Sequence, residues 1–481
     1  MAVGARFRTW IRPLVHLGQN GLTRTGAALT TSAAVTMIAF WIAEMLRDRP
    51  AHPYAGIALF LILPALFVLG LVLMPLGIWW TRRRLRQGGA LPSEFPAVSL
   101  RLADVRRGLA VIGILTAANL AILSTATYKG VEYMDSNQFC GITCHKVMAP
   151  QYTAFLDSPH QRVGCVGCHI GPGAGWFVRS KLSGIRQVFA VNLDTYSRPI
   201  PSPVKYLRPA SQTCEQCHWP DRFVGDRFRV FKTYADDEQN TATTTVLVLK
   251  VGGRDGKGAP GIHGRHVGAH VRITYTAADS KRQIIPRVTV ARDDGKTEEF
   301  VSTDPPPSPA PEGGETRLMD CMDCHNRPTH AFQLPERAVD GALAQKRISP
   351  QLPYIKKTAV EALRADYPDR DAGARGIADA LAKFYSSRYP AVYKDQRPAV
   401  DAAVSEVQAI YQRNVFPNMK VTWGTYPNHL GHQDFVGCFR CHDESHKRAD
   451  GTTITQDCTA CHTILAQDEK DPKVLANLGL E

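Results

Sequence analysis

Residues 139–169 read FCGITCHKVMAPQYTAFLDSPHQRVGCVGCH and hold two cysteine pairs, each followed directly by a histidine. A cysteine pair of this kind attaches a c-type haem through two thioether bonds, and the histidine after the second cysteine binds the iron. The stretch begins about a dozen residues after a long apolar run. It therefore predicts two haem sites close to a membrane.

All twelve cysteines of the chain occur in such pairs, and a histidine follows every pair. A disulfide framework or a zinc ribbon would also pair cysteines, but neither requires a histidine at that position. The pattern therefore predicts six covalently bound c-type haems. The first pair is irregular, with three residues between its cysteines instead of two. The pairs are Cys140/Cys144, Cys165/Cys168, Cys214/Cys217, Cys321/Cys324, Cys438/Cys441 and Cys458/Cys461, and the histidines that follow are His145, His169, His218, His325, His442 and His462.

The chain has 481 residues and a formal net charge of +13, which raises the question of an anionic partner such as nucleic acid. Much of this charge has another source. Residues 1–108 contain thirteen arginines and no lysine, and the arginines flank apolar runs as topogenic charges do. We therefore expect no nucleic-acid binding.

Three apolar runs are long enough to cross a bilayer: residues 25–46, 54–80 and 109–127. A cleaved signal peptide is the alternative for the first run. The sequence RDRPAHP that follows it lacks a small-residue cleavage site, and a second run comes at once. The sequence therefore predicts three retained transmembrane helices.

The arginine distribution predicts the orientation of these helices. The tail at 1–24 and the loop at 81–108 carry eleven arginines between them, whereas the loop between the first two runs carries two. Positive charge favours the cytoplasmic side. Everything after residue 128 should then lie in the periplasm, the side on which c-type haem is attached.

The block from Phe139 to about 218 resembles the NapC/NirT/NrfH family of membrane-anchored quinol dehydrogenases, with Met148 close behind the first motif, then Ser158-Pro159-His160, the second motif and Lys181. The resemblance implies that menaquinol is oxidised beside the first haem and that Met148 ligates the first iron. It also places Lys181 near the quinol, although a solvated or headgroup-bound lysine is an equal alternative. The family's acidic residue after this lysine is absent, since Gln187 and Val188 stand there.

Residues 224–302 alternate β-forming and polar residues and predict a small antiparallel sheet. A proline-rich linker at 303–316 should join neither a sheet nor a helix. Residues 317–481 should hold three haem sites and several helices, similar to the larger inner-membrane multihaem cytochromes of metal-reducing bacteria. Residues 128–223 should hold the other three haem sites.

Six irons need a second ligand each if all are low-spin electron carriers. Eight histidines outside the motifs and the membrane region, together with Met148, exceed this demand. A metal site is an alternative for the cluster His263, His266 and His270. The predicted second ligands are Met148, His160, His263, His266, His330, His432 and His446.

The sequence thus predicts a membrane-anchored multihaem c-type cytochrome of the bacterial inner membrane, with a mostly α or irregular periplasmic region and a small β insert. The expected function is quinol dehydrogenation, with electrons passing to periplasmic cytochromes or a terminal reductase. Reverse flow into the quinone pool is one alternative. A terminal reductase of a small oxyanion is another, but it requires an open iron and no motif variant marks one.

Overall fold

The computed structural model describes residues 12–45, 62–88, 90–92, 94–95, 103–143, 145–171, 173–204, 207–219, 225–253, 261–304 and 313–479. The chain divides into two compact units. One comprises residues 1–140 and 170–185, and the other comprises residues 141–169 and 186–481. Long apolar helices dominate the first unit, while the second contains two sheets, a helical bundle and the second to sixth cysteine motifs.

The first unit contains three long helices, α1 (Gly21–Met45), α2 (Leu63–Gln87) and α3 (Ala103–Asp135). By length and apolar composition, α2 and the Val105–Asp135 part of α3 could each cross a bilayer. The first predicted span falls on α1, and its passage through the membrane stays a prediction. Residues 54–61 of the second predicted span lie outside the described residues.

Small residues bring α1 and α2 into close antiparallel contact. A Cβ atom at Gly70 would meet Thr30, and one at Gly77 would meet Thr23. The Asn20 side-chain amide donates a hydrogen bond to the Gly77 carbonyl at 3.1 Å. Packing of this kind stabilises helix pairs in lipid, where the hydrophobic effect does not drive helices together.

Helix α3 is longer than the predicted span at 109–127 and extends beyond it at both ends. Its 33 residues correspond to about 50 Å, well over the hydrocarbon thickness of about 30 Å. The Ser32 hydroxyl of α1 donates to the Thr116 carbonyl of α3 at 3.2 Å. Helix α1 therefore contacts both α2 and α3.

Two further helices flank the second cysteine motif, α4 (His145–Leu156) and α5 (Ala174–Asn192). Helix α5 carries no acidic residue. Its Leu182, Ile185 and Phe189 are each more than half exposed, and their spacing places them on one face.

The predicted β region forms two antiparallel sheets rather than one. The first has the order β1-β2-β8 and the second has the order β6-β3-β4-β5-β7. The strands are β1 (Arg227–Tyr234), β2 (Ala242–Leu249), β3 (Val271–Asp279), β4 (Arg287–Arg292), β5 (Thr297–Ser302), β6 (Gly313–Leu318), β7 (His446–Lys447) and β8 (His462–Glu469).

Both sheets recruit a strand from the C-terminal end of the chain. In the first, Val246 of β2 pairs with Ala466 of β8. In the second, Ser302 of β5 pairs with His446 of β7. Alternation along the sequence predicts strands but not their distant partners. The β region is consequently joined to the C-terminal haem motifs rather than inserted as a separate sheet.

The predicted linker at 303–316 differs from the structure at its end. Residues 313–316 belong to β6, where Thr316 pairs with Thr276 of β3. The two glycines that open β6 leave room for this strand, since a Cβ atom at Gly314 would crowd the Ala277 carbonyl at 2.7 Å. Residues 305–312 lie outside the described part of the chain.

A short helix, α6 (Ile262–Val267), lies between β2 and β3 in the chain. A bundle of five helices occupies most of residues 335–414. Its members are α7 (Pro335–Ala344), α8 (Ile355–Arg364), α9 (Arg370–Arg388), α10 (Pro390–Asp395) and α11 (Arg397–Asn414). Their apolar residues recur three and four positions apart and form one core. Leu343, Ile355, Leu381, Tyr385 and Ile410 are almost fully buried in it. The bundle contains no cysteine motif.

Candidate haem-binding sites

The second to sixth cysteine motifs form short α or 3-10 turns. In each of three motifs the amide of the motif histidine donates to the carbonyl of the first cysteine: His218 to Cys214 at 2.8 Å, His325 to Cys321 at 2.8 Å and His442 to Cys438 at 3.1 Å. Residues three positions apart lie on one side of such a turn. The spacing therefore places both cysteines of a pair where two bonds to a single haem can form.

Each of these five motif histidines faces a histidine from elsewhere in the chain. The distances between ring centroids are narrowly distributed. The pairs are His169 and His330 at 6.2 Å, His218 and His160 at 5.8 Å, His325 and His263 at 6.3 Å, His442 and His266 at 5.8 Å, and His462 and His432 at 6.3 Å.

These distances fit two imidazoles on opposite sides of one iron. Metal–nitrogen bonds of about 2 Å on each side would separate two ring centres by roughly 6 Å. Histidine rings in direct contact through a hydrogen bond have no reason to repeat this spacing five times. The residues present therefore fit five haems with two histidine ligands each.

Hydrogen bonds at Nδ1 orient four of the rings. Nδ1 of His330 lies 2.9 Å from the Gln151 carbonyl, that of His266 lies 2.7 Å from the Ile262 carbonyl, and that of His442 lies 2.6 Å from the Thr455 carbonyl. A carbonyl can only accept, so Nδ1 carries the proton and Nε2 keeps its lone pair. The same arrangement, at 3.2 Å, joins His160 to the Pro328 carbonyl. Bonds of this kind fix the tautomer that binds a metal.

Burial favours the neutral imidazole that such ligation requires. It lowers the pKa of His169, His263 and His266 below the ordinary value. At His330, burial and then the charge of Arg327 lower the pKa to about 4. These rings are thus held unprotonated at neutral pH.

The pairs connect segments that are distant in the sequence. His330 follows the fourth motif but faces the histidine of the second, while His160 lies beside the second motif and faces the histidine of the third. Helix α6 supplies both His263 and His266 from one turn, toward the fourth and fifth motifs. The two predicted three-haem regions are therefore interlocked.

Successive motifs lie next to each other. Cys168 lies close enough to Cys217, and Cys214 to Cys321, for the sulfur atoms of neighbouring motifs to interact electrostatically. The Arg440 guanidinium of the fifth motif donates to the Asp323 carbonyl of the fourth at 2.8 Å. Phe439 of the fifth motif stacks on His432, the partner of the sixth, at 4.3 Å. The order along the chain is thus repeated in space from the second site to the sixth.

The chain is similar in sequence to known cytochromes. The NapC/NirT cytochrome c family, N-terminal region, matches residues 104–200. The cytochrome c-type protein ImcH of Geobacter sulfurreducens is 42% identical over 453 residues, which are 93% of the chain and 88% of ImcH. The chain belongs to the NapC/NirT cytochrome c family. The cytochrome c-type protein NrfH of Wolinella succinogenes is 30% identical over 93 residues, which are 19% of the chain and 52% of NrfH. No solved structure gives a significant match.

Membership in the NapC/NirT family makes the chain a membrane-anchored multihaem c-type cytochrome that carries electrons. Its first site is described only in part. Cys140 lies in a π-helical turn at Phe139–Thr143, and a turn of this type holds one more residue than an α turn. This width suits the extra residue between the first two cysteines. Met148 lies partly buried in α4, while Cys144 and the His145 side chain are outside the described residues.

His446 differs from the prediction that it ligates iron. It is almost fully buried, and its Nε2 lies 2.6 Å from the Ile285 carbonyl. Its Nδ1 lies 2.8 Å from the Asp443 carboxylate. Both ring nitrogens are therefore occupied, and His446 joins β7 to the loop before β4 instead.

Two other histidines also stand apart from the ring pairs. His429 is buried, with Nδ1 at 3.0 Å from the Asp323 carbonyl and Nε2 at 2.8 Å from the Gln283 amide nitrogen. His270 is exposed beside Asp293 at 2.6 Å. The cluster of three histidines near residue 266 thus separates into two rings that face motif histidines and one exposed ring beside the Asp293 carboxylate.

Sequence reasoning missed Asp323, which lies between the cysteines of the fourth motif and is 1% exposed. An acidic residue inside a motif was visible in the sequence, but its burial was not. Lys181, the predicted quinol residue, lies in α5, and its side chain is outside the described residues.

Proposed function

We propose that the chain is a quinol dehydrogenase that passes electrons from menaquinol in the inner membrane, through six c-type haems, to a periplasmic acceptor. The observation that carries the proposal is the series of five opposed histidine pairs, each at a cysteine motif and each next to the following one. Membership in the NapC/NirT family supports the quinol as donor.

The haems, when bound, would supply one-electron oxidation and reduction at iron. The cysteine pairs would hold them, and the paired histidines would ligate five irons on both faces. At the first site we assign Met148 to the iron, because the family resemblance implies a methionine there rather than the motif histidine. Ligation by His145 and another histidine is the competing assignment. Two protein ligands at an iron leave no position for a substrate, so the five pairs favour electron transfer over oxyanion reduction.

The quinol is a lipid-soluble donor and must reach the protein at the membrane surface. We assign Lys181 of α5 to the quinol oxygen, where an ammonium group would donate a charge-assisted hydrogen bond. Such bonds contribute about 1.5–3 kcal/mol, so their loss should slow quinol oxidation roughly tenfold or more.

The test uses the purified full-length chain in detergent under anaerobic conditions. Pyridine haemochrome analysis should give six haems per chain, and a menaquinol analogue should reduce them. Lys181→Ala should slow reduction by the quinol while dithionite still reduces all six haems. Arg186→Ala, in the same helix and exposed, is the matched control and should behave like the wild type.

Two outcomes would overturn parts of this proposal. Equal quinol rates in the wild type and Lys181→Ala would remove Lys181 from the site. Failure of every quinol to reduce the chain, together with rapid reduction by a reduced periplasmic cytochrome, would reverse the direction of electron flow.

A further inference from the structure

Asp323 is a buried carboxylate inside the attachment turn of the fourth haem site. Its side chain is 2% exposed. At the same positions the second and sixth motifs carry Val166-Gly167 and Thr459-Ala460, which bring no charge. Burying a carboxylate is unfavourable unless charge and hydrogen bonds compensate it. We therefore expect positive charges and hydrogen-bond donors around the Asp323 carboxylate.

Four donors from three elements converge on this carboxylate. Its Oδ1 accepts from the Tyr275 hydroxyl at 2.6 Å, from Arg317 Nε at 3.1 Å and from Arg282 Nη1 at 3.3 Å. Its Oδ2 accepts from the Asp320 amide at 2.7 Å. The guanidinium groups and the amide can only donate, so both oxygens of the Asp323 carboxylate act as acceptors.

The two guanidinium groups are themselves neutralised from outside. Arg282 donates to Glu315 at 2.6 Å through Nε, and Arg317 approaches Asp320 at 3.7 Å. Positive charge around Asp323 is thus matched by further carboxylates. The network as a whole does not carry an excess of positive charge that would cancel the effect of Asp323.

The network is also tied to the haem turn and to its neighbour. Asp320 is the N-cap of the turn that begins at Cys321, and Asp323 completes a capping box because its carboxylate accepts from the Asp320 amide. Arg440 of the fifth motif donates to the carbonyls of Asp323 and Arg282, each at 2.8 Å. The fifth motif therefore holds the backbone that carries this carboxylate, and the fourth motif binds the carboxylate itself.

We propose that the negative charge of Asp323 lowers the reduction potential of the fourth haem site. A fixed negative charge in a medium of low dielectric constant opposes the addition of an electron to a nearby iron. Arg317 has the opposite sign and should act in the opposite direction. The inference rests on the proposed haem at Cys321 and Cys324.

The experiment is a potentiometric titration of the full-length protein, followed by visible and electron paramagnetic resonance spectra. Asp323→Asn keeps the shape of the side chain and should shift one reduction wave to higher potential. Arg317→Gln should shift the same wave to lower potential. Local loosening of the turn would move both variants in the same direction, so opposite signs separate the charge effect from damage.

Two controls identify the wave. His263→Met changes the proposed second ligand of the fourth iron and should displace the wave that Asp323→Asn displaces. Glu299→Gln, which removes an exposed partner of Arg287 on the β4–β5 hairpin, should leave every wave in place.

Measuring the haem content distinguishes a failure of the inference about Asp323 from a failure of the proposed function. Asp323→Asn with six haems and no displaced wave, or with shifts of equal sign in Asp323→Asn and Arg317→Gln, would overturn the inference while the proposed function stands. A wild-type protein that carries no haem on Cys321 and Cys324 would overturn the proposed function at this site.

Discussion

The histidines of this protein fall into two groups, and the contacts of their two ring nitrogens distinguish rings that face a motif histidine from rings that bind only polar groups of the protein. His330 and His266 use Nδ1 for a backbone carbonyl and direct the rest of the ring at a motif histidine. His446 has acceptors at both nitrogens. The cysteine motifs could be predicted because attachment depends on adjacent residues. The second ligands could not be paired, because each partner comes from a distant part of the chain.

Replacing one paired histidine should change one site. In His330→Met the iron of the second site would keep His169 and gain a thioether ligand, which raises the potential of a c-type haem. One reduction wave should move upward, and one low-spin bis-histidine signal should disappear from the electron paramagnetic resonance spectrum. His270→Gln removes an exposed histidine from Asp293 and should leave the spectrum unchanged. An unchanged spectrum in His330→Met would disprove this pairing.

At the scale of elements, local sequence patterns predict where helices and strands lie, but they do not predict which strands pair. The helices of the bundle follow the apolar spacing of residues 355–414, and β1 to β4 follow the alternation of residues 227–292. The C-terminal strands β7 and β8 were missed, because β7 has only two residues and β8 overlaps the sixth haem motif at His462. Gly313 and Gly314, which begin β6 beside β3, fall within the predicted linker.

The bundle is joined to β1 through a buried ion pair. Lys356 of α8 donates to Asp340 of α7 at 2.5 Å, and both side chains are less than a tenth exposed. Asp340 also accepts from the Tyr234 amide at 3.2 Å. Removing one partner of such a pair leaves an uncompensated buried charge.

Lys356→Met should therefore lower the free energy of unfolding of the bundle by about 3–5 kcal/mol, measured by chemical denaturation. Arg364→Met is a matched control on the same helix. Arg364 pairs with Glu336 at the surface, with 56% and 42% of the side chains exposed, so its loss should cost under about 1 kcal/mol. Equal losses in the two variants would contradict the assignment.

The same variant has a pH dependence of known sign. Burial raises the pKa of Asp340 although Lys356 opposes it, so the folded state binds this proton more tightly than the unfolded chain does. Without Lys356 the pKa should rise further. The loss of unfolding free energy in Lys356→Met, relative to the wild type, should then be largest at neutral pH and shrink as the pH falls through the raised pKa of Asp340. A loss of unfolding free energy that grows as the pH falls would contradict the raised pKa of Asp340.

For the whole molecule, the membrane and the haem sites impose one direction on the chain. Haem is attached to c-type cytochromes in the periplasm, so we predict that the region after α3 lies there. Helices α1 and α2 pack antiparallel, as two successive spans do. Three spans would then leave the N-terminus and the 81–108 loop together in the cytoplasm, and their eleven arginines predict the same side.

Reporter fusions test this topology. Alkaline phosphatase should be inactive when fused after Arg84, at the end of α2, and active when fused after Glu481. A third fusion after residue 50 examines α1: activity there means that α1 crosses the membrane, since residue 50 then lies in the periplasm. Green fluorescent protein at the same three positions should give the reverse pattern, because it does not fold after export in an unfolded state. Equal behaviour of the fusions after Arg84 and Glu481 would mean that α3 does not span, and if both fusions were inactive the haem region would lie on the side where no haem is attached.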